Sequence, residues 1–422
     1  MRLPSGPPAD GVPGWRAADA TAWAAAGPGR WARPLWPFLG LLVTVFAAIA
    51  TEPVPVCSDA SPCGPDWVGM VQTGLALGLL HWTVRLPELT LLAAPALAVM
   101  VATDQFPAPT AASGAANAAV LAVLALAWAS ACARLAARRR QRLLFVRASG
   151  AVTRPMNPAD LPRRGTRPLT AGLLLCAVAA ATTLLGLDGV HEDEERAARA
   201  TRVEAEVTSR TETSLRLRGP EGRRFSVEAL FPEDHRVGAT VTVLEDGTWR
   251  RLVAEPYDPF GRQLLALAAG LPGISLACTG LRTHRRFLVM RREELPAVRV
   301  LKATDGEGTA RIHAADDTDL SAPLAVFTWA SLVFPHAFPH DGAEDGGPEG
   351  DDGDDGDEGE DPDGDDEFTL VSLQEVVMLG VPYEGAVPAF VVPTSGGIPG
   401  TVVGTARLHL PWKGPRVSGR AR

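Results

Sequence analysis

Apolar residues gather along the chain into six blocks: Pro34–Ala50, Trp67–Val84, Leu86–Ala102, Ala115–Ala136, Pro168–Leu187 and Gln263–Leu281. A helix crosses a bilayer core with about 20 mostly apolar residues, and roughly 17 suffice when its ends are anchored. Each block therefore predicts a transmembrane helix. Little more than Arg85 separates the second from the third, which leaves a tight hairpin and a re-entrant pair both open. The first block follows a long segment containing Trp15, Trp23 and Trp31 and ends without a clear small-x-small cleavage site. It reads as a retained span rather than a signal peptide.

Beyond the fifth block the period changes. His191–Ala200 reads as a short helical stalk, and alternation begins after it. Val203, Ala205 and Val207 oppose Glu204, Glu206 and Thr208; Leu215 and Leu217 oppose Arg216 and Arg218; Phe225, Val227, Val241 and Val243 continue the pattern. Gly219–Gly222 and Glu245–Gly247 supply turns. About five short strands over residues 188–262 predict a small barrel or curled sheet of OB or SH3-like size. After the sixth block, Val298–Leu301, Thr309–His313, Leu324–Thr328, Ala389–Val392 and Thr401–Leu408 predict a second β-rich region, interrupted over residues 341–367.

A span, a β-rich segment with the strand Val237-Gly238-Ala239-Thr240-Val241-Thr242-Val243, then Tyr257-Asp258-Pro259 and another span form a recognisable order. Over about residues 168–281 it resembles an uncharacterised bacterial membrane family with a small extracytoplasmic β-domain between two helices. The strand Trp249–Ala254 is an addition to that pattern. The chain as a whole is similar to actinobacterial multipass membrane proteins, and its richness in Ala, Gly, Pro and Arg fits a GC-rich genome. The resemblance implies an architecture and no activity.

Charge sets the direction of the spans. The loop between the fourth and fifth blocks holds nine Arg residues from Arg138 to Arg167, and Arg282, Arg285, Arg286, Arg291 and Arg292 follow the sixth. Arg2, Arg16, Arg30 and Arg33 precede the first, whereas loops 51–66 and 103–114 contain no Lys or Arg. By the positive-inside rule both termini are cytoplasmic. The net charge of −9 is local, because sixteen of the 49 acidic residues lie between Asp341 and Glu367. That Asp/Glu/Gly tract cannot bury an apolar core and reads as a disordered insertion.

The expected fold is an α-helical bundle of about six transmembrane helices with a small extracytoplasmic β-domain and a cytoplasmic β-rich C-terminal domain. Residues 1–33 form a cytoplasmic N-terminal segment and 34–187 the first five helices with their loops. Residues 188–262 are the outer domain and 263–281 the sixth helix. Residues 282–340 and 368–422 form the inner β-rich region and tail, with 341–367 inserted between them.

Candidate chemistry is sparse. Cys57 and Cys63, in the first outward loop, are spaced for a disulfide on an oxidising side of the membrane. Gly74 and Gly78 form a Gly-x-x-x-Gly step that lets helices approach closely, within one bundle or between two copies. Cys132, Cys176 and Cys278 read as small packing residues. His336 and His340 have metal-pair spacing, but Pro335 and Pro339 oppose the helix that the spacing requires. Phosphate loops, His-Glu-x-x-His and Gly-x-Ser-x-Gly are missing. No enzyme, cofactor, metal site or nucleic-acid partner is therefore expected. The function expected is a binding, scaffold or signalling-type membrane anchor whose partners are the lipid bilayer and an envelope or cytoplasmic protein, with self-association into a homo-oligomer a further partner class. A transporter or channel component is the alternative, weakened by the scarcity of ionisable groups inside the spans.

Overall fold

The structure is a computed structural model that describes residues 11–53, 56–154, 165–305, 309–317, 319–320, 323–328, 370–383, 386, 388–391 and 404–405. Its helices are α1 (Ala17–Ala25), α2 (Leu35–Thr51), α3 (Trp67–Arg85), α4 (Pro87–Asp104), α5 (Ala111–Ala148), α6 (Thr166–Arg199) and α7 (Phe260–Arg292). Its strands are β1 (Thr153–Arg154), β2 (Thr201–Arg210), β3 (Ser214–Arg218), β4 (Arg224–Glu228), β5 (Thr240–Asp246), β6 (Trp249–Leu252), β7 (Leu295–Asp305), β8 (Thr309–His313), β9 (Ala325–Thr328), β10 (Leu370–Leu379), β11 (Ala389–Val391) and β12 (Gly404–Thr405). The chain divides into two units, one of residues 28–135 and 163–287 and the other of residues 1–27, 136–162 and 288–422. The acidic tract, His336 and His340 lie outside the described residues.

In the first unit the six apolar blocks coincide with α2–α7. Four of these helices, α4 to α7, are long and apolar enough to cross a membrane; α2 is apolar but shorter. The second and third blocks are two helices of 19 and 18 residues that break at Leu86. Pro87 opens α4 because a proline lacks the amide that would continue α3. The Asp66 carboxylate caps α3 by accepting from the Gly69 amide at 2.6 Å, and Thr110 caps α5 through the Ser113 amide at 3.1 Å. Such caps satisfy amides that the helix itself leaves unpaired. At the other end of α3, the buried Arg134 of α5 donates to the Thr83 and Val84 carbonyls. Arg282 pairs with Glu88 at 2.9 Å at the same end.

Where α6 and α7 meet, glycine removes the side chain from the contact. A Cβ at Gly172 would collide with the Ala277 backbone, and one at Gly280 with the Leu169 backbone. Gly273 lies against Cys176, and Gly270 against Ala179. In an apolar solvent, packing of this closeness supplies the association that the hydrophobic effect cannot. The fifth and sixth expected spans are longer than their apolar blocks. The expected stalk, His191–Ala200, continues α6 without a break as far as Arg199, and α7 runs eleven residues beyond Leu281.

Strands β2–β6 form one antiparallel sheet in the order β4-β3-β2-β5-β6. The alternation read from the sequence sets its core: Ala205, Val207, Leu215, Leu217, Val227, Val241, Val243 and Leu252 are buried together. Edge strands β4 and β6 touch, so the sheet curls. The Arg223 and Arg250 guanidiniums flank the Phe225 ring at 5.2 and 5.1 Å. Both also bind Glu245, and the Arg223 hydrogen bond is the main cause that holds the Glu245 carboxyl below its usual range.

In the second unit the sheet order is β12-β11-β10-β7-β8-β9, with β1 beside the start of β7. One edge of β7 is shared by three segments. β1 pairs with residues 295–296, Gly14 bridges Arg299 in parallel, and β8 pairs with residues 301–304. Part of the N-terminal segment is thus woven into this sheet. The Trp15 amide donates to Arg299 O, the Arg299 amide to Pro13 O, and the Ala315 amide to Trp15 O, at 2.8–2.9 Å. Trp15 meets Trp23 and Phe145 edge-to-face, with centroids 5.5 and 5.4 Å apart. These rings pack on Val298, Val300, Ile312, Val376, Met378 and Phe390. Trp15 and Trp23 stand outside any strand-like alternation, so no pattern along the chain assigns them to a sheet.

Candidate ligand cleft in the helix bundle

Helices α2, α3, α4 and α5 enclose a cleft of about 520 Å³, within the usual size range of small-molecule sites. Its walls are apolar: Leu42, Val45, Phe46 and Ile49 from α2, Ala76, Leu77 and Leu80 from α3, Leu97 and Val101 from α4, and Val120 from α5. The mouth is acidic. Glu52 follows the last residue of α2, Asp66 precedes the first of α3, and Asp104 ends α4, so antiparallel connectivity brings three carboxylates to one end of the bundle. Among the described residues no Lys, Arg or His lines the cleft.

The polar groups are ordered by the helices that carry them. Gln72 Nε2 and Gln105 Nε2 donate to Asp104 Oδ2 at 3.1 and 2.9 Å. Asp66 Oδ1 is held by its cap, and Asn117, only 8% exposed, contributes an amide from α5. Between Leu42 and Glu52 the α2 wall rises about 15 Å at 1.5 Å per residue, roughly half a hydrocarbon core. Below it the bundle is filled by Leu41, Leu79 and Leu124, each at most 1% exposed, together with Trp82.

The acidic end of the bundle also carries the curled sheet. Cys57 and Cys63 are joined in a disulfide with Cα atoms 5.3 Å apart. The short loop it closes is fastened to the sheet twice: the Cys63 amide donates to Ala254 O at 2.9 Å, and the Thr242 amide to the Asp59 carboxylate at 3.1 Å. The Tyr257-Asp258-Pro259 motif closes the other side. The Tyr257 amide and Arg251 both donate to the buried Asp193 of α6. Asp258 accepts from the Phe260 amide at the start of α7 at 2.8 Å, and Arg262 donates to Leu185 O of α6 while lying over the Tyr257 ring. Within the sheet domain His235 Nε2 and Glu255 Oε1 lie 3.0 Å apart, both buried, with Glu255 also accepting from the Leu230 amide at 2.6 Å.

No family model, curated protein or solved structure matches this chain.

The residues singled out from the sequence are not among those lining the cleft. Gly74 admits the tip of Leu267 from α7, whereas Gly78 clears room for Trp82 of its own helix. Trp82 in turn donates from its indole to Ser275 Oγ of α7 at 3.0 Å. Both glycines face contacts inside one chain. Cys132, Cys176 and Cys278 are free and half-buried, and His81 is exposed. Among the described residues no group of three His, Cys, Asp or Glu is placed to hold a metal ion.

The carboxylates escaped the sequence reading although their signal was there. Loops 51–66 and 103–114 were notable for lacking Lys and Arg. The residues they do contain, Glu52, Asp59, Asp66 and Asp104, are the acids of this end of the bundle.

Proposed function

We propose that the protein is an integral cell-membrane protein that works as a binding anchor of receptor or scaffold type, with six spanning helices and both termini in the cytoplasm. On this reading β2–β6 and the acidic mouth face outward and the β7–β12 sheet faces inward. The observation that carries it is the cleft itself, apolar between the helices with Glu52, Asp66 and Asp104 at the helix ends. Apolar walls with a few ordered polar groups suit a bound ligand, and the scarcity of ionisable groups along the spans disfavours a conduction path. Connectivity supports coupling of the two sheets: β2 follows α6 after Ala200, and only Glu293 and Glu294 separate α7 from β7.

Single-cysteine labelling tests this arrangement. In a background lacking the native cysteines, an impermeant thiol reagent applied to intact cells is expected to label a cysteine at Ser209 and to spare cysteines at Asp160 and Ser395. The reverse pattern would invert the orientation and defeat the outward cleft. Solute flux in vesicles containing the purified protein would defeat the anchor reading in favour of a transporter.

A further inference from the structure

From the chemistry of the cleft we infer its ligand class: an amphipathic cation, with one ammonium-type head at the mouth and an alkyl or aryl body between the helices. This inference rests on the binding reading above.

Three features converge on that class. The walls offer a long apolar slot whose side is formed by exposed residues, Phe46 and Ile49 of α2 and Leu77 of α3. Burying an aliphatic chain there is favourable because each methylene leaves water. The mouth offers three carboxylates without a basic residue in the lining, and a cation near them is attracted more strongly than in bulk water because low-dielectric walls focus the field. The polar groups are preset: Gln72 and Gln105 fix Asp104 through one oxygen, and the Asp66 cap engages Oδ1. Asp104 Oδ1 and Asp66 Oδ2 have no hydrogen-bond partner among the described residues and remain to accept from a ligand. The Asn117 side chain, 8% exposed, lines the cleft from α5.

The alternatives fit less well. A bare metal ion would find carboxylates only at the rim and nothing to coordinate along the slot. An anionic lipid would bring its headgroup to three like charges, and a neutral hydrocarbon would leave the carboxylates without a role. An amphipathic cation uses both halves of the site at once, and its length is bounded by the roughly 15 Å rise of the α2 wall.

The test is equilibrium binding of radiolabelled dodecyltrimethylammonium to the full chain in maltoside micelles, after subtraction of protein-free micelles, with dodecanol and dodecyl sulfate as competitors. Saturable binding is expected, displaced by the unlabelled cation at a concentration at least tenfold lower than dodecanol requires, and not displaced by dodecyl sulfate. The double variant Glu52→Gln with Asp104→Asn should weaken cation binding at least tenfold and change the binding of radiolabelled dodecanol by less than about threefold. Ala76→Trp, which fills the slot, should abolish binding of both. Equal affinity for dodecanol and the cation, or a double variant that binds the cation normally, would overturn the charge assignment while leaving the cleft as a binding site. Absence of saturable binding by any of the three amphiphiles would remove the cleft as a ligand site altogether.

Discussion

The Cys63 amide donates to the Ala254 carbonyl at 2.9 Å, which fastens the disulfide loop to the last turn of the curled sheet. Closing so short a loop restricts the unfolded chain by about 2 kcal/mol on chain-entropy grounds. Replacing Cys57 and Cys63 by serine is expected to lose about that much locally. The check is hydrogen exchange: the Cys63-position and Thr242 amides should exchange faster, while amides of β3, remote from the loop, should not.

Gly172 and Gly74 face different neighbours, and substitution should separate them. A Cβ at Gly172 meets the Ala277 backbone, which cannot yield without moving α7, whereas one at Gly74 meets only the end of the Leu267 side chain. Gly172→Ala is expected to destabilise by about 1–3 kcal/mol, as overpacking does, and Gly74→Ala by less than about 1 kcal/mol. Thermal unfolding in detergent measures both.

Trp15 links the N-terminal segment to the β7–β12 sheet through Trp23 and Phe145. Truncation to alanine removes a ring that is 2% exposed and should cost about 3–5 kcal/mol. Limited proteolysis should then cleave near residues 11–27 and within that sheet at protease levels that leave the unaltered protein intact. Cleavage confined to the N-terminal segment would show that the sheet stands without it.

The same sheet should stabilise as pH rises. Burial lowers Lys302 from 10.5 to about 8, so the unfolded chain binds the extra proton between about pH 8 and 10.5, and stability increases across that window by at most about 3 kcal/mol. Burial also pushes His313 below its ordinary 6.5, against the opposing pull of Asp317. Its contribution has the same sign and is lost as pH falls below about 6.5. Thermal midpoints from the near-ultraviolet signal of the tryptophans should rise with pH in both windows, and Lys302→Met should flatten the upper one.

What the sequence by itself determined was periodicity. Continuous apolar blocks placed the six helices, four of them long and apolar enough to cross a membrane, because an unbroken apolar run needs no partner to declare itself. Alternation at Val203–Val207 and Leu215–Leu217 placed the strands and the buried face of the curled sheet, since a strand's two faces are written in consecutive residues. The Cys57–Cys63 spacing made their bridge thinkable for the same local reason.

The tertiary structure alone decided what depends on residues distant in sequence. Glu52, Asp66 and Asp104 become one mouth only because α2, α3 and α4 alternate in direction. Gly172 and Gly280 matter only because α6 lies backbone to backbone on α7. Trp15 belongs to a sheet whose central strand begins 280 residues later, at Leu295. A one-dimensional pattern reports the solvent each residue prefers; it does not report which other segment will provide that environment.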